Sequence, residues 1–118
     1  MAGACATLLK AAFDGSVPFA SLTNGKIVMA SPDDLSLVPY TGADAEQLTL
    51  NGEISKLASN IGFSRNMSGI HWRVDAVYDM LLGEALALSI VADQSNNYHG
   101  ENFDGFTIEK FDGTIVSV

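Results

Sequence analysis

Ser64-Arg65-Asn66-Met67-Ser68-Gly69-Ile70-His71-Trp72-Arg73-Val74-Asp75 is the stretch on which the reading of this 118-residue chain turns. Arg65 stands six residues before His71, and Asp75 four residues after it. An apolar and small-residue run, Ala76 to Ala92, follows and reads as a helix. With His71 in the first turn of that helix, Asp75 falls on the same face one turn later. A carboxylate beside an imidazole can fix its tautomer and raise its basicity. A guanidinium offers a planar fork of donors to an oxyanion. A helix N-terminus adds free amides and the positive end of a dipole. The ordinary structural account is a capped helix start beside a solvated arginine. From average residue usage, however, four fixed residues at these spacings arise by chance on the order of once in a thousand chains of this length.

Working outward, Thr49 to Phe63 reads as the helix before the motif. Thr49 is its cap, Glu53 sits in its first turns, and Gly62 is a candidate stop. Leu50, Ile54, Leu57, Ala58 and Ile61 form one apolar stripe at three- and four-residue spacing. The motif is then a loop held between two helices, the preorganisation a catalytic site needs. The helix after it, about Trp72 to Asp93, is apolar on most sides: Val74, Val77, Tyr78, Leu81, Leu82, Ala85, Leu88 and Val91 give it a wide surface to bury in the middle of a bundle. Asp75 and Asp79 share a face, and Asp79 reads as a solvated or capping charge.

Ala2 to Phe13 reads as a first helix, ended by Asp14-Gly15, with Ala and Gly suited to close packing on another helix. Asp14 to Leu48 is loop-like and holds Pro18, Pro32 and Pro39, with short extended pieces at Lys26 to Met29 and Leu35 to Val38. A connection this long points to a surface loop, or to an excursion that touches another copy. Gln94 to Gly105 is polar, and His99 within it reads as a surface histidine. Phe106–Lys110 and Thr114–Val118 flank Phe111-Asp112-Gly113 and predict a C-terminal hairpin.

Composition bounds the function. Hydrophobic residues make up 47% and charged residues 17%, enough for a packed core. Six basic against fourteen acidic residues leave a net charge of −8, which argues against nucleic acid or an anionic membrane as partner. Any anion site must be local. Two of the six cations, Arg65 and Arg73, lie in the motif. Cys5, the only cysteine, cannot make an intrachain disulfide and is expected to be a small buried residue. No stretch is long and apolar enough to span a bilayer, and the compartment stays open.

The pattern Ser64-Arg65, five residues, His71, three residues, Asp75 resembles the third signature of the vanadium-dependent haloperoxidases and the type-2 phosphatidic-acid phosphatases. Asn51–Ile61, Gly69–Arg73 and Leu82-Gly83-Glu84-Ala85 are similar to the haloperoxidase side of that superfamily. Ala2–Ala11 resembles the segment that follows a Pro-Ser-Gly-His signature there. Neither that signature nor the upstream lysine with its Arg-Pro pair occurs in the chain. Val74 stands where close relatives are expected to have serine, outside the signature positions.

The resemblance implies a mainly α fold, a helical bundle of the haloperoxidase type with a short C-terminal β-hairpin, in which residues 1–118 form a single partial domain. It implies vanadate as cofactor, with His71 as the vanadate (metal) ligand through Nε2, Asp75 holding the other ring nitrogen, and Arg65 neutralising equatorial oxygens. Hydrogen peroxide and halide would be the reactants. The upstream part of the same enzyme, with its remaining site residues, and further copies in a homo-oligomer would be the partners. Two alternatives stay open. One is a phosphoric-ester hydrolase of the acid phosphatase type, with phosphate in place of vanadate and His71 as nucleophile. The other is a truncated, non-catalytic helical interaction module.

Overall fold

Small residues bring two helices together backbone to backbone, and the rest of the fold is arranged on that contact. The computed structural model describes residues 1–98 and 103–118; His99, read above as a surface histidine, lies outside them. Helix α1 is Ala2–Ala12 and helix α4 is Arg73–Asn97. At their crossing a Cβ on Gly3 would collide with the Met80 carbonyl oxygen, and one on Gly83 would stand 2.7 Å from the Ala4 amide nitrogen. Glycine is required at both places because the neighbours are main chain. Ala6, Thr7, Ala76, Ala87 and Val91 close the seam. Helix α3, Leu50–Met67, packs on the same pair through Ala58.

The segment between α1 and α3 is not structureless. It holds a single-turn helix α2 (Phe19–Leu22), an antiparallel pair β1 (Val28–Ala30) and β2 (Leu37–Pro39), and a 3₁₀ turn at Ala45–Gln47. Val28 pairs with Pro39 and Ala30 with Leu37. Asp34, at φ 57°, and the bond from the Asp34 amide to the Ser31 carbonyl make the turn between them. The C-terminal hairpin is present, as β3 (Thr107–Glu109) and β4 (Ile115–Ser117), turning at Gly113 with φ 82°. Fully buried Ile108 seats it against the helices. The Lys10 Nζ donates to the Glu109 carbonyl at 3.1 Å and lies 4.6 Å from the Phe111 ring centroid. Phe111 N–H donates to the Glu84 carboxylate at 2.6 Å, and Asn51 Nδ2 to the Glu109 carboxylate at 2.9 Å. The protein is thus mainly helical with two short antiparallel strand pairs.

Three expectations need correction. Helix α3 runs through Gly62 to Met67, so Ser64 and Arg65 are helical rather than in a loop. An interior glycine costs only about 1 kcal/mol, and the stop comes instead at Gly69, whose φ of 68° suits glycine. There the Gly69 amide donates to the Asn66 carbonyl and the Ile70 amide to the Arg65 carbonyl, a Schellman closure. Second, the broad apolar surface of α4 is largely bare. Tyr78 is 66% and Leu82 68% exposed, and Val74, Val77 and Leu81 are also exposed. The molecule measures 52 × 39 × 22 Å. Its thin dimension is about two helix diameters, so a helix covered on one side is open on the other. Third, Cys5 is exposed rather than buried, because it faces an apolar groove between α1 and α3 lined by Leu9, Ile54, Leu57 and Ile61.

Candidate oxyanion site

The motif folds as a helix end, a turn and a helix start. Arg65 sits in the last turn of α3, where a cation is favoured by the dipole. Ser64 Oγ donates to the Ile61 carbonyl at 2.9 Å. The Schellman turn then delivers His71 to the position before Trp72, the N-cap of α4. His71 is therefore just outside the helix, not in its first turn. Trp72 has no capping oxygen in its side chain, so the cap is supplied from the other direction. Asp75 Oδ2 accepts the Trp72 amide at 3.0 Å. The same oxygen lies 3.8 Å from His71 Nδ1, inside ion-pair reach but beyond a hydrogen bond. The carboxylate thus holds the loop against the helix and sits on the Nδ1 side of the ring.

Arg65 and His71 line one cavity of about 230 Å³. Its walls are Met1, Ala2 and Gly3 of α1, Ile61 and Gly62 of α3, and Ala76, Asp79 and Met80 of α4. The Gly3–Met80 contact that joins α1 to α4 is therefore also a wall of the cavity. It brings the first turn of α1, with the positive end of its dipole, to the same space as the guanidinium and the imidazole. Asp75 stands behind His71 rather than on the wall. Asp79 is exposed, as expected of a solvated charge, and also lies on the cavity rim, on the face it shares with Asp75. That shared face was the available signal, and the crossing of α1 and α4 decides that it meets the cavity. Among the described residues no group of three or more His, Cys, Asp or Glu side chains could hold a metal ion. The donors present, a guanidinium, an imidazole and helix-end amides, suit an oxyanion.

No protein-family model matches the chain. Over all 118 residues it is 41% identical to a vanadium-dependent bromoperoxidase of Corallina pilulifera, and equally to one of Corallina officinalis. Each match covers 18% of the relative's length. A vanadium-dependent bromoperoxidase of Ascophyllum nodosum is 35% identical over 89 residues, which are 74% of this chain and 15% of that protein. The chain belongs to the vanadium-dependent haloperoxidases. It corresponds to the C-terminal part of these enzymes and spans less than a fifth of their length. The expected family and the mainly helical fold with its terminal hairpin are both borne out. No described helix is long and apolar enough to cross a membrane.

Proposed function

We propose that this haloperoxidase segment carries the histidine-centred part of a vanadate site, within an enzyme that oxidises halide with hydrogen peroxide. The residues fit the group. The cavity offers a guanidinium and an imidazole to an oxyanion, and vanadate needs anionic oxygens neutralised and one nitrogen donor. His71 is the ligand through Nε2, since Nδ1 is turned to Asp75. Asp75, at 3.8 Å from Nδ1 and too far for a hydrogen bond, places its negative charge on the side of the ring away from Nε2. Arg65 neutralises oxyanion charge from the end of α3. The first turn of α1 adds backbone donors, and Ile61, Gly62 and Met80 make the apolar part of the wall. Bound there, vanadate would supply a Lewis acid that activates peroxide toward halide. The observation that carries the reading is the meeting of Arg65 and His71 on one cavity, with Asp75 against the Nδ1 side.

Trp72, next to His71 in the chain but off the cavity wall, is the optical probe. It is the only tryptophan and is 79% exposed. Orthovanadate titrated into the chain should change Trp72 emission saturably, and Arg65→Ala or His71→Ala should weaken binding at least tenfold, the scale of one lost charged hydrogen-bond partner. An unchanged titration in both variants would refute the assignment. Hydrolysis of phosphoric monoesters by the longer polypeptide, with no vanadate-dependent bromide oxidation, would transfer the same residues to phosphatase chemistry.

A further inference from the structure

One residue at the candidate cavity, the solvent-exposed Asp79 of α4, carries an acceptor rather than a donor. Asp79 lines it together with Arg65 and His71. Asp75 is already engaged, by the Trp72 amide and beside His71. Asp79 is in none of the ion pairs among the described residues, which are Lys56–Glu53, His71–Asp75 and Lys110–Asp112. An ionised carboxylate can only accept hydrogen bonds. Facing a fully deprotonated oxyanion, it brings like charges together with no proton between them. Facing an oxyanion that keeps an O–H, it accepts a short, charge-assisted bond. The same side chain therefore repels one class of anion and binds the other.

We propose that Asp79 makes this cavity selective for oxyanions that retain an O–H, which it holds as a hydrogen-bond acceptor. The inference rests on reading the cavity as an oxyanion site. Its ligands are tetrahedral oxyanions of the vanadate and phosphate type, which carry at least one proton near neutral pH. Sulfate has the same shape and no proton, and it is the excluded class. Arg65 and His71 supply attraction common to all three anions. Asp79 supplies the discrimination, and the choice is made at one oxygen of the ligand.

The test compares orthovanadate, phosphate and sulfate, titrated into the chain near neutral pH at fixed ionic strength, with Trp72 emission as the readout. The native chain should prefer phosphate and vanadate to sulfate by about fivefold, the upper end of what a solvent-exposed charged contact contributes. Asp79→Asn should narrow that preference to within about threefold, mainly by gaining sulfate, because its amide can donate where the carboxylate could not. Asp79→Ala, which removes both charge and acceptor, should narrow it too. Equal affinity for phosphate and sulfate in the native chain overturns the inference. So does an unchanged ratio in both Asp79 variants. If Arg65→Ala and His71→Ala abolish binding while the Asp79 variants keep the native ratio, only the inference falls. If those two variants leave every titration unchanged, the oxyanion reading falls and takes the inference with it.

Discussion

Gly83→Ala puts a methyl group into the contact that holds α1 against α4. The new Cβ would stand 2.7 Å from the Ala4 amide nitrogen and 3.3 Å from the Gly3 carbonyl carbon. Ordinary Cβ contacts begin at 3.4 Å, so the helices must part by about 0.7 Å, the difference between 3.4 and 2.7, at a site of rigid close packing. Both obstructing atoms are main chain, so no rotamer change relieves them. Overpacking of this kind costs about 1–3 kcal/mol. Alanine's better helix propensity returns about 1 kcal/mol. A net loss of about 1 kcal/mol lowers the melting temperature of a domain this size by about 4 °C. Gly62→Ala is the internal control. Its Cβ would meet only Met80 Cγ and Sδ at 3.7 Å, an ordinary contact in mid-helix, so the propensity gain should raise the melting temperature by about 4 °C. Thermal melts by far-UV circular dichroism should therefore move in opposite directions. Gly83→Ala melting at or above the native chain would refute the backbone contact, and with it the cavity wall that the first turn of α1 provides.

Asp75→Ala removes the acceptor of the Trp72 amide and the first-turn negative charge of α4. It should cost about 1 kcal/mol in urea unfolding, and Asp75→Asn, which keeps an oxygen, should cost less; equal stability of all three chains would exclude the cap. Lys10 is buried, and burial pushes its ammonium below the ordinary 10.5, with Glu109 and Glu84 pulling partly the other way. Between the lowered folded value and 10.5 the unfolded chain binds more protons, so this group makes stability rise with pH across that window. Lys10→Met should abolish the rise in urea midpoints measured over the alkaline range, and an unchanged slope would show that Lys10 is not its source. The bare face of α4 should drive self-association. Light scattering should give a mass above 12.5 kDa for the native chain and a lower one for Leu82→Glu; a native monomer would refute it.

Much of the helical frame was legible because it depends on local pattern. The apolar spacing of Leu50, Ile54, Leu57 and Ile61 marks α3, and Thr49 does cap it, accepting the Gly52 amide at 3.2 Å. Phe111-Asp112-Gly113 marks the hairpin turn. Gly62 was read as the stop of α3, but the left-handed backbone that ends the helix is at Gly69. His71 was read into the first turn of α4 but stands two residues before Arg73, its first helical residue, because Trp72 gives no sign of being a cap and the capping oxygen comes back from Asp75. The meeting of Arg65 and His71 was legible from their spacing. The face shared by Asp75 and Asp79 was legible as one turned to the site or to solvent, and the crossing of α1 and α4 puts exposed Asp79 at the cavity. The Lys10–Glu109 contact, which joins residues 99 apart in sequence, was not legible.

A chain of net charge −8 is a poor host for an oxyanion until its cations are followed individually. Lys56 pairs with Glu53 and Lys110 with Asp112, and Lys10 is turned to the Glu109 carbonyl. Arg65 is in no ion pair among the described residues, and of the lysines and arginines it is the one on the cavity wall. The long-range field therefore repels anions, in proportion to their charge, while attraction acts only at contact. Salt screens the first over about 10 Å at 0.1 M and leaves the second largely intact. A dianion meets twice the repulsion of a monoanion on approach. At the cavity Asp79 applies a further selection by protonation. Global charge and local acceptor thus act in the same direction, toward an oxyanion that arrives protonated and singly charged.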